Sequence, residues 1–233
     1  VRFSRKLQWF AVLIPAHDEA ATIGGIVRAV RKLLACKVIV IDDASTDGTA
    51  EIARAAGATV LSLSCKLGAW GGIQAGIRYA LRVGYRQVLT MDADGQHLPE
   101  SLYSLLRSLI VGEADVVIGA CTERGSCIRR LAWVYFRKLT GLRVEDLTSG
   151  FRAYNHAAMT VLASPEATLL DYQDVGVLLL LRRASLQIKE IPVPMRKRDH
   201  GGSRVFPSWF IVGKYMLQTS ILCIAKVGMN GKR

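Results

Sequence analysis

Five short apolar runs, at residues 9–14, 37–41, 59–63, 87–91 and 116–119, are separated by stretches of helical spacing at 21–34, 49–56, 72–83 and 99–110. No other feature constrains the chain as much. Strands this short and this uniformly apolar must be buried on both faces, and a helix after each supplies the crossover that parallel pairing needs. The expected fold class is therefore α/β, a mostly parallel sheet flanked by helices. Ligands of such a sheet bind beyond the carboxyl ends of its strands. A length of 233 residues suits one domain with a small appendage, and a hydrophobic content of 51% gives ample core. From 121 to 204 the rhythm loosens into a basic stretch, an apolar helix at 175–183 and a strand-like run at 187–193 that includes two prolines nearby.

Acidic residues cluster where the strands end. The second run stops in Ile41-Asp42-Asp43-Ala44-Ser45-Thr46-Asp47-Gly48-Thr49, the fourth in Met91-Asp92-Ala93-Asp94-Gly95-Gln96-His97, and the first in Pro15-Ala16-His17-Asp18-Glu19. Thirty-one Lys and Arg against nineteen Asp and Glu give a net charge of +12, which favours anionic partners. A basic chain that gathers its few acids at one rim most simply holds a divalent cation between carboxylates and a phosphate. Asp92 and Asp94 stand at i and i+2, so an extended segment turns both toward one hard cation; the competing reading is a pair of turn-forming residues beside Gly95. Asp42 and Asp43 repel one another unless something binds them, and a nucleotide base or ribose offers suitable donors. Asp47-Gly48-Thr49 also reads as a helix cap.

Taken together, Leu13-Ile14-Pro15-Ala16-His17-Asp18-Glu19, Ile41 to Thr49 and Met91 to His97 resemble, in order and spacing, the successive signatures of family-2 glycosyltransferases with the GT-A fold. Leu147-Thr148-Ser149-Gly150-Phe151-Arg152-Ala153-Tyr154, and Ile191-Pro192-Val193-Pro194-Met195 before Arg198-Asp199-His200-Gly201-Gly202-Ser203, resemble the dolichol-phosphate-mannose-synthase-like, polyprenyl-phosphate branch. The resemblance implies a Rossmann-like sheet and metal-dependent, inverting transfer of one sugar from a UDP- or GDP-linked donor, with Mg²⁺ or Mn²⁺ as cofactor. It places Pro15, Glu19 and Asp43 around the base and ribose, Asp92 near the ribose or metal, Asp94 as principal metal ligand and Gln96 as a further oxygen. Arg198 and Ser203 belong, on the same likeness, to a segment that closes over the donor diphosphate.

On the acceptor side, the resemblance puts Asp174 beside the acceptor, as general base toward a sugar hydroxyl or as an orienting group toward a lipid phosphate. Relatives often carry another acid two residues on, where this chain has Gly176. Asp174 also reads as the cap of the helix at 175–183. The basic stretch with Arg124, Arg129, Arg130, Arg137 and Lys138 suits an anionic acceptor, because guanidinium groups take phosphate bidentately. The expected layout is a single domain over 1–204, with a nucleotide-binding half at about 10–119 and an acceptor half at about 120–204, followed by an interfacial or packing helix in 205–233.

That last segment is apolar but interrupted by Lys214, Gln218 and Lys226, which favours lying on a membrane over crossing it. The opening residues lack a signal-peptide core, and five cysteines without metal spacing fit a reducing compartment. The expected place is the cytoplasmic face of a membrane, with a lipid-phosphate or glycan acceptor and no nucleic acid. No GxGxxG follows the first strand and no GxxxxGK[ST] occurs, so dehydrogenase and P-loop chemistries are excluded. Two other readings stay open: transfer to a sugar hydroxyl in surface-polysaccharide synthesis, and a catalytically silent basic binding module.

Overall fold

A computed structural model describes residues 9–122, 127–170, 172–196, 216–221 and 223, with backbone alone for 127–129. Its centre is a seven-stranded sheet in the order β3-β2-β1-β4-β6-β5-β7. The strands are β1 (Phe10–Ala16), β2 (Lys37–Asp42), β3 (Thr59–Ser62), β4 (Gln87–Thr90), β5 (Val116–Ala120), β6 (Arg152–Asn155) and β7 (Ile188–Pro192). Helices α1 (Ala20–Leu33), α2 (Thr49–Ala55), α3 (Gly68–Arg82) and α4 (Leu102–Val111) follow the first four strands; α5 (Cys127–Thr140), α6 (His156–Leu162), α7 (Pro165–Thr168) and α8 (Val175–Arg183) complete the layers. Strands β1 to β4 are mutually parallel where they pair, whereas β6 runs antiparallel to both β4 and β5.

The period of two along each strand divides the apolar residues between two cores. On β1, Leu13 joins one cluster and Val12 and Ile14 the other; on β2, Ile39 and Ile41 face one way and Val38 and Val40 the other. Helices α1 and α4 cover the second face with Ile23, Val27, Val30, Leu102 and Leu105. On the opposite face lie Ile73 and Ile77 of α3, Trp133 and Phe136 of α5, and the leucines of α8. Helix α3 reaches the sheet closely because Gly76 carries no side chain: a Cβ there would stand 2.8 Å from Ile41 Cδ1 and 3.2 Å from Leu13 Cδ1.

The sequence expectation of strands and helices holds through β5, with α3 beginning four residues early at Gly68. The sheet continues past residue 120, since β6 enters between β4 and β5 and β7 pairs with β5. Of the C-terminal segment, residues 216–221 are helical. Cys223 and Thr219 are buried, with Cys223 in the same core as α8. The described part of this helix therefore packs on the domain by one face.

Candidate active site

Strands β2, β1 and β4 are adjacent and parallel, so their carboxyl ends share one rim, and Ala16 stands in register with Asp42. The β1–α1 and β2–α2 loops are stitched together there. Ser45 Oγ accepts from the Asp18 backbone N–H at 3.0 Å, Asp18 Oδ1 from the Thr46 N–H at 2.9 Å, and Thr49 Oγ1 from the Glu19 N–H at 2.8 Å. Asp18 and Ala44 both hold left-handed backbone, at φ 54° and 57°. For alanine that conformation costs on the order of 1 kcal/mol, which the cross-links between the loops offset.

Asp47 caps both neighbouring helices. Its Oδ2 accepts from the Ala20 N–H at 3.0 Å, at the start of α1, and its Oδ1 from the N–H of Thr49 at 3.1 Å and from the Thr49 hydroxyl. Desolvation pushes this carboxyl upward, but the hydrogen bonds from the Thr49 side chain and the Ala20 and Thr49 backbone outweigh it and leave it below the ordinary range.

The repulsion expected between Asp42 and Asp43 is relieved from inside the protein. Asp43 receives the N–H groups of Leu67 at 2.6 Å and Gly68 at 2.8 Å, at the start of α3, while Asp42 Oδ1 receives that of Ser45 at 3.3 Å. Both acids are buried. Asp43 thus anchors the α3 terminus to the rim, and its own carbonyl lies 2.8 Å from His17 Nδ1. Pro15 is half-buried at the end of β1.

The loop after β4 carries Asp92, Asp94 and Gln96, all half-buried. Asp94 Oδ1 accepts from the Gln96 N–H at 3.1 Å, a turn closed by the carboxylate itself. Thr22 of α1 donates to the Ala93 carbonyl at 2.7 Å, which fixes this loop against the first turn of α1. His97 is buried, stacks on Phe151 with ring centroids 4.8 Å apart, and accepts the Asp92 N–H on Nδ1 at 3.3 Å. An accepting Nδ1 places the proton of the neutral ring on Nε2.

Against Asp92 lies Gly150: a Cβ there would come within 2.7 Å of Asp92 Oδ1, so the missing side chain is the space the carboxylate occupies. Gly150 is in turn held by Thr90 Oγ1, which donates to its carbonyl at 2.6 Å.

Two carboxylates and an amide oxygen form a donor set of the kind hard divalent cations take. Among the described residues no three His, Cys, Asp or Glu side chains gather to hold a metal ion. A cation held at Asp92, Asp94 and Gln96 would need further oxygens from a bound ligand, as Mg²⁺ ordinarily takes them from phosphates. Gln96 also pairs with the segment that leads toward Arg198: the Arg196 N–H donates to its carbonyl at 2.9 Å, and His97 bridges to Met195.

Asp174 is buried at the N-cap of α8, and its Oδ1 accepts from the Gly176 N–H at 3.3 Å. Gly176, two residues on, supplies the capping amide. Arg130 is exposed on α5. Arg124, Arg198 and Ser203, and the side chain of Arg129, lie outside the described residues. Asp18, Ser45, Thr22 and Gly150 complete the rim beside His97 but were absent from the expected site residues. Their parts are side-chain bonds to the main chain of another loop and, at Gly150, vacated space, pairings that residue type alone does not encode.

The family described as Glycosyl transferase family 2 matches residues 11–162. Undecaprenyl-phosphate mannosyltransferase of Micrococcus luteus is 32% identical, over 89% of this chain and 91% of its own. Polyprenol monophosphomannose synthase of Mycolicibacterium smegmatis is 28% identical, over 98% of this chain and 90% of its own. Among solved structures, glucosyl-3-phosphoglycerate synthase of Mycobacterium tuberculosis, in complex with Mn²⁺, UDP-glucose and phosphoglyceric acid, superposes with a TM-score of 0.72 at 22% identity, covering 95% of this chain and 80% of that one. The shared fold is GT-A.

Proposed function

The chain belongs to glycosyl transferase family 2, and on that premise we propose that it transfers one sugar from a UDP- or GDP-linked donor to a polyprenyl phosphate, with inversion at the anomeric carbon. The observation that carries this reading is the meeting of the Asp92–Gln96 loop with Thr22 and the β1 and β2 ends at a single rim. The acceptor class is supported by the relatives named for undecaprenyl phosphate and polyprenol.

Asp94, Asp92 and Gln96 would hold Mg²⁺ or Mn²⁺, which supplies charge neutralisation for a departing diphosphate. Pro15, Glu19 and Asp43 frame the base and ribose, and Arg198 and Ser203 serve the diphosphate. In the reaction an acceptor phosphate oxygen forms a bond to the anomeric carbon while that carbon's bond to the donor diphosphate breaks, and the nucleoside diphosphate leaves with the electron pair. The acceptor phosphate is already ionised near neutral pH, so Asp174 orients it and removes no proton. Arg124, Arg129 and Arg130 supply its counter-charge.

The protein works at a membrane surface in this reading, docked on the cytoplasmic face. Among the described residues no helix is long and apolar enough to cross a membrane. Helix α5 buries Trp133, Phe136 and Thr140, and turns Leu131, Val134 and Tyr135 outward at i, i+3 and i+4. The C-terminal helical residues add Leu217 and Ile221, and the Tyr135 hydroxyl lies 3.1 Å from Ser220 Oγ, joining the two helices. Arg130 and Lys138 are exposed on α5 as well. An apolar stripe with cationic neighbours suits anionic lipid.

The decisive experiment is transfer of labelled sugar from UDP-glucose and GDP-mannose to undecaprenyl phosphate, with and without Mn²⁺, by the unsubstituted protein and by Asp94→Asn. Metal-dependent product from the first and a loss of at least about 100-fold in the second are expected, since a preorganised charge-stabilising group is worth that much. Equal turnover by both would remove Asp94 from the chemistry.

A further inference from the structure

Arg152 opens β6 in the middle of the sheet, opposite Thr90 on β4 and Ile118 on β5, and it is fully buried. Its side chain shares a face with that of Tyr154, two residues on, toward the core that holds α8. The guanidinium spends its donors on main-chain carbonyls: Nε on Ser149 at 2.7 Å, and Nη2 on Leu147 at 3.1 Å and on Gln173 at 2.9 Å. Two of these belong to the loop that carries Gly150, against which the Asp92 carboxylate rests; the third precedes Asp174. Two polar atoms in this cluster, Arg152 Nη1 and Gln173 Oε1, have no hydrogen-bond partner among the described residues, while Gln173 Nε2 donates to the Tyr154 hydroxyl at 2.6 Å.

We propose that Arg152 is a positioning residue for the transfer step, a single guanidinium that sets the Asp92 side of the site and Asp174 at a fixed separation by holding the carbonyls of Leu147, Ser149 and Gln173. The inference rests on the transfer reading above. A buried cation is a poor source of stability, because apolar residues of similar volume often serve a core as well or better. What a guanidinium offers that they do not is a rigid planar fork reaching carbonyls in several directions at once. Lysine keeps the charge but has no such fork. The loop that carries Gly150 is also tied to the sheet, through Ser149 Oγ on the Gly119 carbonyl and Thr90 Oγ1 on the Gly150 carbonyl, while Asp174 caps its own helix. Arg152 joins the two segments directly.

A double-substitution cycle tests this, with kcat measured at saturating Mn²⁺, nucleotide sugar and undecaprenyl phosphate. Arg152→Lys is expected to keep donor affinity in calorimetry within about threefold of the unsubstituted protein, yet to lower kcat about 100-fold, the scale on which a displacement near 1 Å acts. In an Asp174→Asn background the same change should cost less than about threefold, because the group it positions is already lost.

A scaffold residue that merely supports the fold gives additive losses, and additivity overturns the proposal. If Arg152→Lys does not melt cooperatively, Arg152→Gln takes its place in the cycle; failure of both to fold assigns the residue to folding and likewise overturns it. Absence of transfer by the unsubstituted protein is a separate result that defeats the transfer reading and this inference with it.

Discussion

At the scale of single residues, the rim is defined as much by what is missing as by what is present. Gly150 is the clearest case. A methyl group there would meet Asp92 Oδ1 at 2.7 Å and Oδ2 at 3.1 Å, closer than non-bonded atoms settle, so the carboxylate has to swing away. Gly150→Ala is therefore expected to weaken Mn²⁺-dependent donor binding about tenfold while the melting temperature changes little, because the methyl points at a half-buried side chain and not into a core. Calorimetry with UDP-glucose or GDP-mannose, with and without Mn²⁺, reads the first effect and thermal melting the second. Unaltered donor affinity would mean that Asp92 takes no part in the donor site. Sequence reasoning singled out Asp92 by its type, yet Gly150 entered only as one letter of a likeness. They stand 58 positions apart along the chain, and their contact is a property of the β4–β6 pairing.

At the scale of elements, the start of α1 and the start of α2 depend on one carboxylate. Asp47→Ala removes acceptors from the N–H groups of Ala20 and Thr49 together, so the loss should exceed the roughly 1 kcal/mol typical of one cap. Its pH dependence has a definite sign. A carboxyl held below its ordinary value contributes stability that is present above the unfolded pKa of about 4 and is lost as pH falls through the folded value. Melting temperatures of the unsubstituted protein and Asp47→Ala are thus expected to differ at pH 7 and converge toward pH 3. A gap that stays constant over that range would show that the charge on Asp47 contributes nothing.

The first five strands and four helices were legible because their apolar periodicity is regular and each sits in a βα unit. Four elements escaped, among them the 14-residue α5, whose stretch read only as a basic run. Strand β6 is four residues long and begins with a buried arginine, which a hydrophobic pattern counts as surface. Helices α6 and α7, of seven and four residues, are too short for a helical period to register and owe their starts to the Asn155 and Ser164 caps. The early start of α3 was hidden by Gly68 and Gly71, residues that read as a loop until Asp43 is seen receiving the Leu67 and Gly68 amides.

At the scale of the whole molecule, the proposed membrane docking can now be attributed to a surface and not to a tail alone. The C-terminal helical residues serve two purposes: Thr219 and Cys223 turn inward, while Leu217 and Ile221 are 64% and 59% exposed beside the α5 stripe, where Leu131 is 70% exposed. Burial among α8 residues pushes the Cys223 thiol up to about 11, with the Asp174 carboxylate adding to the shift, so the end of this helix packs near the proposed acceptor residue. Removing residues 205–233 would consequently uncover core, and reduced liposome binding by such a truncation could not be assigned to lost docking.

Point substitutions on the outward face separate the two roles. Three leucine-sized side chains entering a bilayer contribute on the order of 2 kcal/mol each, and Arg130 and Lys138 add about 1 kcal/mol each on anionic lipid. Leu131→Ser, Leu217→Ser and Ile221→Ser combined should abolish co-sedimentation with vesicles containing phosphatidylglycerol and lower turnover on undecaprenyl phosphate. Melting temperature and donor affinity should hold. Raised salt should weaken binding of the unsubstituted protein only in part, since the apolar contribution is not screened. Undiminished sedimentation of the triple variant would move the docking surface away from α5 and this helix, and the acceptor phosphate would have to approach the rim from another side.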